Sequence, residues 1–119
     1  MKVVILDTGC ANLFSLAAAV KRLGVEPIVT CDAATIRSAD RIFLPGVGTA
    51  RAAMASIRER GLTELIRTAT QPVLGICLGE QLLTSESEES PGVALLGLLP
   101  DSVKELKTGR IPLPHMGWN

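Results

Sequence analysis

The residues with the clearest capacity for chemistry are Gly75-Ile76-Cys77-Leu78-Gly79, a G-x-C-x-G run that follows an apolar stretch and opens a helix-like one. This is the spacing of a nucleophile elbow, with cysteine where many hydrolases carry serine. Such a turn is so sharp that side chains two positions either side of the nucleophile would collide, which calls for glycine at both. It lifts the sulfur out of the end of a sheet and sets it at a helix N-terminus, whose partial positive charge favours thiolate over thiol. The N–H of Leu78 is then turned to stabilise an oxyanion. The same five residues also fit a plain strand-to-helix turn with an inert cysteine, since so short a motif recurs by chance.

Gly46 and Gly48 flank Val47 in a second loop, Pro45-Gly46-Val47-Gly48. A loop of this kind can turn its N–H groups inward as an anion nest, which gives a second oxyanion donor from Val47 or Gly48. Alone it reads as an ordinary tight turn; beside an elbow cysteine it reads as part of a site. Phosphate binding fits less well, because the Lys-Ser/Thr of a P-loop and the third glycine of a dinucleotide site are missing. A cysteine nucleophile also needs a base, oriented by a third group. The single histidine, His115, lies in a proline-rich stretch with nothing local to aim it at the sulfur. Cys10 and Cys31 read as buried free thiols. Three widely spaced cysteines without a C-x-x-C pair offer neither a disulfide framework nor a metal site.

The elements that must position these residues alternate between strand and helix patterns. Val3 to Leu6 reads as a buried strand, Pro27 to Thr30 as a second, Arg41 to Leu44 as a third and Pro72 to Ile76 as a fourth. Between them, Asn12 caps a helix over Leu13 to Leu23, with Leu13, Leu16, Ala17, Val20 and Leu23 on one face. Asp32 caps about two turns through Ser38, and Thr49 caps a helix from Ala50 to Arg60. A further helical piece covers Leu62 to Ala69. Thr84 to Gly92 reads as a polar loop whose acidic residues are solvated, and Ser102 to Leu106 as another strand. This alternation predicts an α/β fold: an open, mostly parallel sheet with helices on both faces. In such sheets the chemistry sits at the carboxyl ends of the strands. Asp7-Asn12, Pro45-Gly48 and Gly75-Gly79 all follow strands directly.

Composition narrows the partners. Apolar residues make up 47% of the 119 and the formal net charge is zero, which fits a packed core and lacks the basic footprint of a nucleic-acid binder. The aromatics are only Phe14, Phe43 and Trp118, so a base-stacking surface is not expected either. The apolar start, Val3 to Leu6, is interrupted by Asp7 and is too short for a signal peptide. No apolar stretch reaches membrane-spanning length. The reading is a cytoplasmic protein with no membrane contact, whose partners are small molecules or another protein.

Four segments together carry a resemblance: Leu6 to Asn12, Leu44-Pro45-Gly46-Val47-Gly48-Thr49-Ala50, Gly75 to Gly79 with Gln81, and Pro114-His115-Met116-Gly117-Trp118-Asn119. They resemble the class I (triad) glutamine amidotransferases, and within them the glutaminases of the imidazole glycerol phosphate synthase branch. The elbow is shared across the class. P-G-V-G, where relatives usually carry P-G-G, and P-H-M-G-W-N narrow the likeness to that branch.

The resemblance implies a flavodoxin-like three-layer sandwich, with residues 1–119 as a single domain forming its N-terminal portion. It implies hydrolysis of L-glutamine through a thioester on Cys77, without a cofactor or metal. Ammonia would pass to a (β/α)8-barrel cyclase subunit of histidine biosynthesis. Val47 and Leu78 would supply the oxyanion hole, and Gly46, Gly48 and Gln81 would hold the substrate. Asn12, Met116, Gly117 and Trp118 would lie at or near the partner interface.

Two departures follow from the same likeness. The family's base and orienter, a His-x-Glu pair, belong to a C-terminal segment beyond these 119 residues, and His115 matches the interface motif instead. Glu80 stands where the branch usually carries methionine, which puts a carboxylate in the first turn after the thiol. The chain alone is therefore expected to lack turnover, and an open sheet edge would favour self-association. Two rival readings of the residues remain. One is a non-catalytic module that binds a partner through P-H-M-G-W-N. The other is a different α/β cysteine hydrolase in which Glu80 assists the thiol.

Overall fold

The computed structural model describes residues 1–117. Four parallel strands form the main sheet: β1 (Val3–Leu6), β2 (Ile28–Thr30), β3 (Arg41–Gly46) and β4 (Val73–Cys77), in the spatial order β2-β1-β3-β4. The helices are α1 (Leu13–Arg22), α2 (Ala33–Arg37), α3 (Ala50–Glu59), α4 (Thr63–Arg67) and α5 (Leu78–Leu82). Two short strands, β5 (Glu86–Ser87) and β6 (Ser102–Val103), pair apart from the main sheet.

Side chains alternate across a strand, so β1 and β3 feed two apolar layers. Val4, Leu6, Ile42 and Leu44 pack under α2, α3, α4 and α5 through Ile36, Ala53, Met54, Ile57, Ile66 and Leu82. Val3, Ile5 and Phe43 face the other way and meet Leu13, Leu16, Ala17 and Val20 of α1. Helices thus cover both faces, as the alternating pattern predicts. The order is that of the first four strands of a flavodoxin-like sheet. Among the described residues, β4 is an edge. On the α1 side, Leu74 and Ile76 of β4 remain exposed, as an open edge implies.

All three expected helix caps form. Asn12, Asp32 and Thr49 accept hydrogen bonds from the N–H groups of Ser15, Thr35 and Ala52. Several boundaries differ. Helix α1 ends at Arg22, and Leu23 is its C-cap and largely exposed, because Gly24 turns the chain away at φ 85°. Strand β3 continues through Pro45 and Gly46, which pair with Ile76 and Cys77, so half of the expected turn is strand. Pro45 is tolerated there because β3 has passed its last pairing with β1, Ile5 with Phe43. The expected strand over Ser102 to Leu106 shrinks to two residues, paired with Glu86 and Ser87 of the polar loop. Ser87 and Ser90 of that loop are buried while Glu86, Glu88 and Glu89 face solvent. No helix among the described residues is long and apolar enough to cross a membrane.

The Asp32 cap carries a pH signature. Its carboxylate accepts from both the hydroxyl and the N–H of Thr35, at 2.7 and 2.9 Å, which holds it below its ordinary value of 3.8. A carboxyl that ionises more readily when folded adds stability above its unfolded value and loses it as pH falls through the lower folded value. We expect Asp32→Ala to lower the urea midpoint at pH 7. The gap from the parent should narrow steadily as pH drops below 3.8. A gap constant from pH 7 to pH 2 would contradict this account of the cap.

Candidate active site

Three segments meet at the carboxyl end of the sheet, and the sharpest of them is the junction of β4 and α5. Cys77 ends β4 and caps α5 with φ 56° and ψ −123°. It is the only non-glycine residue with positive φ among the described residues. An L side chain in this region is strained by roughly 1–3 kcal/mol and persists only where its surroundings hold it. The holding is visible in the glycines. A Cβ on Gly79 would lie 1.8 Å from the carbonyl oxygen of Leu44, and one on Gly75 would lie 2.6 Å from the Cα of Glu80. A Cβ on Gly46 would lie 2.8 Å from the Gly79 nitrogen. The elbow glycines are therefore needed: a Cβ on Gly75 would also lie 2.9 Å from the carbonyl carbon of Gly79, while Gly79 avoids the backbone of β3. The first turn of α5 lies directly against the ends of β3 and β4, and Cys77 is exposed above it.

Cys77 opens onto a cleft of about 260 Å³ shared with Gly46, Val47, Asn12 and Leu16. This cleft lies by the reversal in strand order, where β2 is on one side of β1 and β3 on the other. Ligand sites in open α/β sheets occur at that point. Leu78 is the first residue of α5, and an N–H in the first turn has no intrahelical partner.

The Val47 N–H lies on the cleft wall and is already engaged: it donates to the carbonyl of Cys10 at 2.8 Å, across the reversal point. Sequence spacing places Val47 near Cys77 but cannot reveal an acceptor in the loop after β1. Gly48 turns at φ 90° with open space around it.

Gln81, one turn along α5 from Cys77, lines a separate, wider cleft of about 910 Å³ with Glu88, Glu89, Lys104 and His115. The structure thus brings Cys77, Gly46, Val47 and Asn12 together and leaves Gln81 and His115 in the neighbouring hollow. Asn12 has a structural role as the cap of α1 besides its place on the cleft wall. Met116 is exposed and Gly117 has φ 137°. Trp118 lies outside the described residues. Glu80 is exposed.

Cys31 is exposed and Cys10 only half-buried, against the expectation that both are buried thiols. Cys31 lies just past β2, and Cys10 lies in the loop after β1, where it packs only partly against the core. No cluster of three potential metal ligands forms among the described residues.

A family model described as "Glutamine amidotransferase class-I" matches residues 4–119. The chain belongs to that family. The elbow cysteine, the P-G-V-G strand end and the facing cleft therefore lie in a class I glutamine amidotransferase domain. Curated relatives narrow the branch. The chain is 59% identical over all 119 residues to the "Imidazole glycerol phosphate synthase subunit HisH" of Escherichia coli strain K12. It is 58% identical to proteins of the same name from Yersinia pestis and Pectobacterium atrosepticum. In each case the match takes in all of this chain and 61% of the relative.

The amidotransferase elbow makes a direct prediction. Gly79→Ala would force a methyl group into the Leu44 carbonyl, so α5 must shift. Overpacking of this kind destabilises by about 1–3 kcal/mol. We expect a urea midpoint lowered accordingly, with loss of the Cys77 geometry. An unchanged midpoint would show that α5 does not rest on β3 as described.

Proposed function

We propose that this chain carries the nucleophile half of a glutaminase that feeds ammonia to a partner enzyme. The observation that supports this best is the strained, exposed Cys77 beside the cleft at the strand-order reversal. The Cys77 sulfur attacks the side-chain amide carbonyl of L-glutamine, and the carbonyl oxygen takes up the negative charge. Collapse of that adduct breaks the C–N bond and releases ammonia, once the leaving nitrogen has gained a proton. The remaining thioester is cleaved by water, which gives glutamate and restores the thiol. No cofactor or metal enters these steps.

The oxyanion forms beside the Leu78 N–H at the head of α5. Val47 can add a second donor only after its peptide turns away from the Cys10 carbonyl, because one N–H cannot serve both acceptors well. Gly46 and Gly48 on either side give that peptide the freedom to turn. Gln81, Gly46 and Gly48 are the residues we assign to substrate binding. The base that shuttles protons is assigned to a His-x-Glu pair outside these 119 residues, since His115 lines the other cleft. The partner is a (β/α)8-barrel cyclase subunit, met through the end of the sheet near Asn12 and the Met116-Gly117-Trp118 segment. The names of the relatives, subunits of imidazole glycerol phosphate synthase, support a place in histidine biosynthesis, and we assign the chain to a cytoplasmic heterodimer there. A complete enzyme of that kind would act as both hydrolase and lyase.

Two assays follow. A glutamine-shaped chloromethyl ketone should alkylate Cys77 in preference to Cys10 and Cys31, as peptide mass mapping would read. Ammonia release by the chain alone should remain at the level of Cys77→Ser. Alkylation spread evenly over the three cysteines would remove the basis for the glutaminase reading. Turnover well above Cys77→Ser would overturn the assignment of the base.

A further inference from the structure

Helix α3 makes a set of contacts with the loop after β1 that the steps above do not use. Ser56 of α3 and Arg60, the C-cap of that helix, stand one turn apart and face the same way. The Ser56 hydroxyl donates to the carbonyl of Thr8, a residue that is itself 1% exposed. Arg60 donates from Nε to the Ser56 hydroxyl at 3.3 Å and pairs with the Asp7 carboxylate at 3.6 Å. The other oxygen of Asp7 accepts from the N–H of Gly9 at 3.1 Å. The guanidinium closes over Gly9 itself, where an added Cβ would lie 2.6 Å from Nη2. Gly9 turns at φ 74°, and the next carbonyl along, that of Cys10, receives the Val47 N–H.

A continuous run of polar contacts thus joins the outer helix to the one peptide whose orientation decides whether the Cys77 cleft has a second donor. We propose that Arg60, with Ser56, is a positioning residue. It clamps the Asp7–Cys10 loop so that the Cys10 carbonyl holds the Val47 N–H away from the sulfur. This rests on the glutaminase reading, and in particular on Val47 as the second oxyanion donor. Relaxing the clamp frees the carbonyl, and with it the peptide between Gly46 and Gly48. The Arg60–Asp7 pair is about one-third exposed on both sides. A pair of that exposure shifts an equilibrium only modestly, roughly 2- to 5-fold.

The test compares two reagents on the full chain. A glutamine-shaped chloromethyl ketone places its carbonyl oxygen in the oxyanion hole while the thiolate displaces chloride. Iodoacetamide reports only the exposure and reactivity of the sulfur. The ratio of the two rates at Cys77 therefore reads the donors, and a general loosening of the fold does not mimic it. Arg60→Met is expected to raise the ratio roughly 2- to 5-fold over the parent, with Ser56→Ala moving it the same way. A ratio unchanged or lowered in Arg60→Met overturns the proposal. Should that variant not fold, Ser56→Ala decides by the same two outcomes. A parent chain in which the ketone shows no preference for Cys77 would instead count against the glutaminase reading itself.

Discussion

Between Gly79 and the carbonyl of Leu44 there is room for a hydrogen atom and little more. That close approach lets the first turn of α5 rest on the backbone of β3, and it leaves the chain no gentle way to pass from β4 into the helix. The turn is taken in one residue, Cys77, at a φ that a side-chain-bearing residue seldom adopts. Strain at Cys77 and the absence of side chains at Gly46, Gly75 and Gly79 are one constraint seen from two sides. The buried layer of Leu6, Leu44, Met54, Ile57 and Leu82 supplies the packing that keeps α5 in place. Exposure of the sulfur follows from where the turn points.

The sheet order adds the second element of the site. Because β2 and β3 leave β1 on opposite sides, the loops after β1 and β3 face each other across a crevice. Here they are joined by the Val47 N–H to Cys10 carbonyl bond. In the reaction proposed above, that peptide has a second possible acceptor, the developing oxyanion, and its orientation would govern how many donors face the sulfur.

Much of this was legible in the residues. The four strands of the main sheet, the three caps Asn12, Asp32 and Thr49, and the elbow glycines follow from local chemistry: apolar runs, side chains that accept from a first turn, and a motif with a steric reason. What local pattern could not give was contact between segments distant in sequence. The bond from Val47 to Cys10, the stack of Gly46 on Gly79 and the separation of Gln81 from the Cys77 cleft all arise from tertiary packing. Strand β3 ran on through Pro45 because its lost ladder partner was on a strand that had already ended, a fact of register. Cys31 is exposed and Cys10 only partly packed against the core because both follow strands at the sheet's carboxyl end, where residue type is a poor guide to burial.

The most direct measurement is a crystal structure of the chain after reaction with the glutamine-shaped chloromethyl ketone. The account predicts a bond to the Cys77 sulfur, positive φ retained at that residue, and the ketone oxygen facing the Leu78 N–H. A bond at Cys10 or Cys31, or Cys77 relaxed into ordinary backbone with its sulfur turned into the core, would contradict it.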